Sequence, residues 1–87
     1  MLYGNKSIGT SATLIVSANE KRKWLKIANI SSQIVYIGPD QNITTSNGFP
    51  IFEYQQFSSD KFSESYLGSI YGIVASLTSN IRYWENT

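Results

Sequence analysis

Hydrophobic residues fall along this chain in short runs, broken every few positions by Ser, Thr, Asn, Asp or Gly. Apolar positions at i, i+3, i+4 and i+7 never persist for three helical turns. Short runs that alternate and stop at turn residues are instead the mark of half-buried strands. Ala12–Ser17 predicts a first strand, and Ala18-Asn19-Glu20-Lys21 the turn after it. Trp24–Ile30 predicts a second, with Leu25 and Ile27 on one face and Trp24, Lys26 and Ala28 on the other. Ile34–Ile37 follows, then Gly38-Pro39-Asp40-Gln41, with proline at the second position that type I and II turns favour. Asn42–Thr45 predicts a short fourth strand, leading into the Asn47-Gly48 hairpin signal. Pro50 places the next strand at an edge or a bulge. Ile51–Gln55 and Phe57–Phe62 predict two short strands or one bent one. Tyr66–Ser76 is apolar on both faces, as a central strand is, and Ile81–Glu85 predicts the last strand.

Seven or eight strands at about ten-residue spacing predict an all-β fold: an antiparallel β-sandwich or a jelly-roll-like barrel, which limits exposed edges. Residues 1–10 contain Gly4, Asn5, Ser7 and Gly9 and predict a flexible N-terminal arm. Residues 11–87 then form a single β-sandwich domain.

Composition sharpens this picture mainly by exclusion. A chain of 87 residues buries roughly 60–65% of its unfolded surface. Domains of this size usually need a disulfide, a metal or a partner chain. There is no Cys and no His, which removes disulfides, thiolate sites and the commonest metal ligand and general base. Oligomerisation is the support that remains. The net charge of +1 gives no general attraction to nucleic acid or to an anionic membrane. No run reaches membrane-spanning length, and the first residues lack the apolar stretch of a signal peptide. Synthesis in a cytoplasm is the expectation, and the sequons at Asn29 and Asn42 then carry little meaning.

Candidate chemistry is sparse. Serines are plentiful, but no His can activate one, and no Ser-x-x-Lys stands where a helix would open. Asp40, Glu53, Asp60 and Glu64 could in principle pair for glycoside hydrolysis, which needs a cleft that so small a chain can hardly wall. Asp40 with Asn42 falls short of the six or more oxygens of a calcium site. The expectation is no enzyme, no metal and no cofactor.

Two surface features remain. Lys21, Arg22, Lys23 and Lys26 hold four of the seven basic residues. They form either a solvated turn or a basic patch for an acidic partner. The aromatics are too many for a small sandwich to enclose. Trp24, Phe52, Tyr54, Phe57, Phe62 and Trp84 are the interface candidates, because large aromatics outside a core are enriched where proteins meet. Leu2, Tyr3 and Ile8 would anchor the arm on a neighbouring subunit.

Several segments together bring a family into view: Leu25-Lys26-Ile27-Ala28-Asn29, Val35-Tyr36-Ile37-Gly38, Thr44–Ile51, Ile70-Tyr71-Gly72-Ile73 and Ile81–Glu85. Across residues 12–85 the chain resembles small β-sandwich virion structural proteins of tailed bacteriophages, of the head decoration, cement or head–tail type. It departs from their pattern at Glu53–Gln56, where a small glycine-bearing turn is more usual. The resemblance implies a capsid decoration or cement protein that binds the major capsid protein or a neighbouring virion protein. It also implies a homo-oligomer, with a trimer favoured, assembled in the host cytoplasm and resident in the virion. A carbohydrate-binding module or a fibre- or tail-associated adhesion domain is the alternative, with Trp24, Trp84 or Tyr54 as its platform. A single-stranded nucleic-acid binder is the third.

Overall fold

The computed structural model describes residues 2–59 and 66–87. Among the described residues there are eight strands and no helix. They are β1 (Leu2–Ile8), β2 (Thr13–Val16), β3 (Trp24–Asn29), β4 (Val35–Gly38), β5 (Phe49–Ile51), β6 (Gln56–Ser59), β7 (Ile70–Ile73) and β8 (Ser79–Asn86).

Each strand of the first half pairs antiparallel with its counterpart in the second. β1 pairs with β8, β2 with β7, β3 with β6 and β4 with β5. The further pairs β3–β8 and β4–β7 roll this long ribbon into two four-stranded sheets, ordered β1-β8-β3-β6 and β2-β7-β4-β5. That is the strand order of an eight-stranded jelly roll, and the expected all-β sandwich is the fold.

The core is a layer of branched aliphatic side chains between the sheets: Ile8, Ile15, Val16, Leu25, Ile27, Val35, Ile37, Ile51, Ile70, Val74 and Ile81. Residues of this type favour pleated strands, and each contributes about 1.5–3 kcal/mol when fully buried. The alternation predicted for Leu25 and Ile27 against Trp24, Lys26 and Ala28 is observed along β3. An irregularity between Leu14 and Val16 in the β2–β7 pairing lets Ile15 and Val16 both turn inward. β7 lies inside its sheet, as expected of a strand apolar on both faces, but it is shorter than the expected Tyr66–Ser76 and spans Ile70–Ile73 alone.

Two segments, the N-terminal arm and Asn42–Thr45, differ most from the sequence-based expectation. The presumed flexible arm is β1, paired with β8 over seven consecutive positions from Leu2↔Glu85 to Ile8↔Ser79. Its weak local propensity is overcome by the neighbouring strand, and its glycine has a use. A Cβ on Gly4 would lie 3.0 Å from the Tyr83 hydroxyl, so the bare backbone makes room for that ring. Ile8, expected as an arm anchor for another subunit, is fully buried in this chain's own core. Asn42–Thr45 is not a strand. It belongs to the loop between β4 and β5, where Asp40 Oδ1 accepts from Asn42 N and Asn47 Oδ1 accepts from Thr44 N. Side chains that satisfy local backbone groups in this way compete with ladder formation. Asn47-Gly48 therefore closes a turn inside that loop rather than a two-residue hairpin.

Candidate functional site

Two buried polar clusters hold the loops in place. Arg22 sits between β2 and β3, and its side chain is sealed from solvent together with that of Glu85 on β8. Arg22 Nε donates to Glu85 Oε2 at 2.5 Å. Its remaining nitrogens donate to the carbonyls of Tyr66 at 2.9 Å, Gly68 at 3.0 Å and Ser17 at 2.8 Å. Asn19 Nδ2 donates to Glu85 Oε1 at 3.3 Å. One guanidinium thus ties together the β2–β3 loop, the segment before β7 and the last strand. The basic-patch expectation is corrected here: Lys21, Lys23 and Lys26 are exposed, but Arg22 is an interior clamp. Asn29 plays the matching part at the other end of β3. Its amide donates to the carbonyls of Gln33, Ile51 and Phe52, and its Oδ1 accepts from Ser31 N and Oγ. Buried polar groups satisfied this fully rigidify a fold.

Sequence reasoning passed over both clusters, yet a signal existed. Glu85 is in phase with Ile81 and Tyr83, and Asn29 with Leu25 and Ile27. A carboxylate on the core side of a strand demands a buried cation, and Arg22 supplies it.

The outer surface carries two aromatic areas. The first surrounds β5 and β6, each at the edge of its sheet. Phe49, Phe52 and Tyr54 are 63%, 54% and 71% exposed. The rings of Phe49 and half-buried Phe57 meet edge to face at 6.2 Å. Phe49, Pro50, Phe52 and Phe57 line an open hollow of about 660 Å³. The turn between the two strands closes through Gln55 N donating to the Phe52 carbonyl. Its third residue, Tyr54, has φ 57°. That left-handed backbone is where glycine is favoured, so a tyrosine is presented there against its own preference. Phe49 was absent from the interface candidates and is now central. Phe62 lies outside the described residues.

The second area is the outer face of sheet β1-β8-β3-β6. Register places Tyr3 beside Trp84 and Trp84 beside Lys26. Trp24 packs edge to face on Trp84 with centroids 5.2 Å apart, and Lys26 Nζ lies 5.9 Å from the Trp24 ring. Tyr3, Gly4, Arg82, Tyr83 and Trp84 line a shallow hollow of about 410 Å³. Tyr3 is mostly exposed, Trp84 about half and Trp24 less. The two areas are separate, so the aromatic candidates do not converge on one site. Leu77, in the loop between β7 and β8, is exposed and also left-handed, with φ 56°.

Among the described residues, no group of three His, Cys, Asp or Glu side chains is placed to hold a metal. What the geometry offers is rigid, solvent-facing aromatic surface on a clamped scaffold. Comparison of the chain with protein-family models, with curated proteins and with solved structures found no match.

Proposed function

We propose that this chain is a non-catalytic structural protein of a virus particle, a decoration or cement protein that docks on the capsid lattice or on a neighbouring virion protein. The observation that supports the docking role best is the aromatic surface of β5 and β6. Phe49, Phe52 and Tyr54 stand in solvent beside Pro50 and Phe57. Contiguous apolar surface of this kind marks interaction sites. Phe and Tyr supply large, stiff contact area there. The strained Tyr54 backbone fits this reading, because strain of this sort persists where function holds it. The virion setting rests on the resemblance of residues 12–85 to phage head proteins. On a lattice, one weak contact per copy becomes strong retention through repetition.

The test is whether the chain travels with particles. Antibody against it should label gradient-purified virions of the source virus, and Phe49→Ser with Phe52→Ser should strip the label without blocking assembly. A chain that stays in the soluble fraction while particles band normally would overturn the proposal.

A second reading draws on the exposed Tyr3 and half-exposed Trp84, which stand side by side above the Arg82 position. Flat aromatics of this kind can stack on a saccharide. Titration of Trp fluorescence against a glycan panel checks it, and the absence of quenching by every sugar would remove it.

A further inference from the structure

We infer that the free edge of β1 takes the β1 of a second copy of this chain across a two-fold axis, joining two sandwiches through one eight-stranded sheet. The inference goes beyond the virion proposal and does not depend on it. It makes the closed assembly a dimer, in place of the trimer that the resemblance implies.

The argument begins from how the four edge strands differ. An open edge presents unpaired N–H and C=O groups, and proteins blunt such edges by shortness, proline, a bulge or a charged side chain. β5 has three residues and contains Pro50. β2 has four residues and an irregular register. β6 has four residues. β1 has seven residues, no proline and unbroken register with β8, and no described residue pairs with its other side. β2 and β5 are broken or short, β6 is described over four residues only, and β1 is the longest described edge, with Lys6 as its single blunting residue.

The sequence of β1 points to itself as the occupant. Centred on Asn5, an antiparallel pairing sets Asn5 against its symmetry mate, Tyr3 against Ser7, Gly4 against Lys6 and Leu2 against Ile8. The one charged residue of the strand, Lys6, then faces a glycine. A register centred on Lys6 sets two lysines directly opposite, which is destabilising. A register centred on Gly4 pairs only residues 2–6. Lys6 therefore selects the register that uses the whole strand. Apolar surface lies alongside: Leu2, Tyr3 and Leu14 are exposed, and the gap between the sheets opens here in a hollow of about 270 Å³ lined in part by Leu2, Lys6 and Leu14. A second copy would cover all three. A stable interface needs about 800 Å² per partner, roughly one seventh of the 5423 Å² this chain exposes. That is about one side of a box-shaped body.

Sedimentation of the full chain over a concentration series tests the inference. The expected result is a reversible dimer. Asn5→Lys sets two added lysines opposite each other next to Arg82, and should weaken the dimer by about five-fold or more, more steeply at low salt. An equimolar mixture of Asn5→Lys and Asn5→Asp proteins should restore association as a heterodimer. Gln56→Lys, on β6 at the opposite edge of the same sheet, should leave it unchanged. A monomeric wild-type chain would overturn the inference, including the case in which β1 binds a strand of another protein. So would a dimer that is indifferent to Asn5→Lys, or one that Gln56→Lys weakens equally.

Discussion

Removing both members of the Arg22–Glu85 pair tests what that buried cluster contributes. Natural domains are stable by roughly 0.05–0.15 kcal/mol per residue, about 4–13 kcal/mol for a chain of this length. Glu85→Gln leaves the Arg22 charge buried without its partner, which costs about 3 kcal/mol. Arg22→Met leaves the carboxylate stranded and takes donors from three carbonyls, at about 3–5 kcal/mol. If the ion pair were the whole contribution, the double variant Arg22→Met/Glu85→Leu should be near neutral, because well-packed hydrophobic replacements of buried pairs often are. The geometry says otherwise. Arg22 also donates to the carbonyls of Ser17, Tyr66 and Gly68. Losing those partly buried bonds costs about 1 kcal/mol each. The double variant should therefore remain about 3 kcal/mol less stable than the native chain. Urea unfolding followed by Trp24 and Trp84 fluorescence reads this directly: with a slope of about 1 kcal/mol per molar, the midpoint falls by about 3 M. A double variant with the native midpoint would refute the view that Arg22 acts as a clamp on loop carbonyls. It remains measurable even if the single variants fail to fold.

Other outcomes follow from particular contacts. Gly38→Ala drives a Cβ into Ile43 Cγ2, so the loop after β4 must shift, and thermal unfolding should show a loss of about 1–3 kcal/mol. Leu77→Gly relieves a left-handed leucine in solvent and should raise stability by about 1 kcal/mol in the same assay. Phe49→Ser with Phe52→Ser should keep unfolding within about 1 kcal/mol of native while reducing retention on a phenyl column; unchanged retention would argue against an accessible apolar patch.

Much of the sheet structure was legible because it depends on alternation. Leu25 and Ile27 in β3, and Ile70 and Val74 at β7, are in phase with the core and are buried. β1 was not legible in this way. Gly4, Asn5 and Ser7 have no strand preference of their own, and the strand exists because β8 lies beside it. The Asn42–Thr45 segment failed for the opposite reason. Its local polar side chains satisfy the backbone better than a distant strand would. Of the surface, Phe52, Tyr54 and Trp84 were picked out correctly as exposed aromatics. Arg22 was misplaced because a Lys-Arg-Lys run reads as solvated charge until the inward phase of Glu85 is noticed. The left-handed residues Tyr54 and Leu77 had no local sign, since neither residue type favours that conformation.

The rolled pairing also governs the order in which this chain can acquire its structure. β1 and β8 lie side by side although some seventy residues of chain separate them. Of the ladders among the described strands, only β4–β5 joins two that are consecutive in the chain. Loop-closure entropy is therefore smallest for β4–β5 and largest for β1–β8. Among the eight described strands β1 leaves the ribosome first, and its partner β8 leaves last. Until β8 emerges, Leu2–Ile8 waits unpaired, which is the interval in which long-range β topologies are slow and prone to mispairing. Its glycine and asparagine, which disguised it as a loop, give it little β-propensity of its own with which to mispair in that interval.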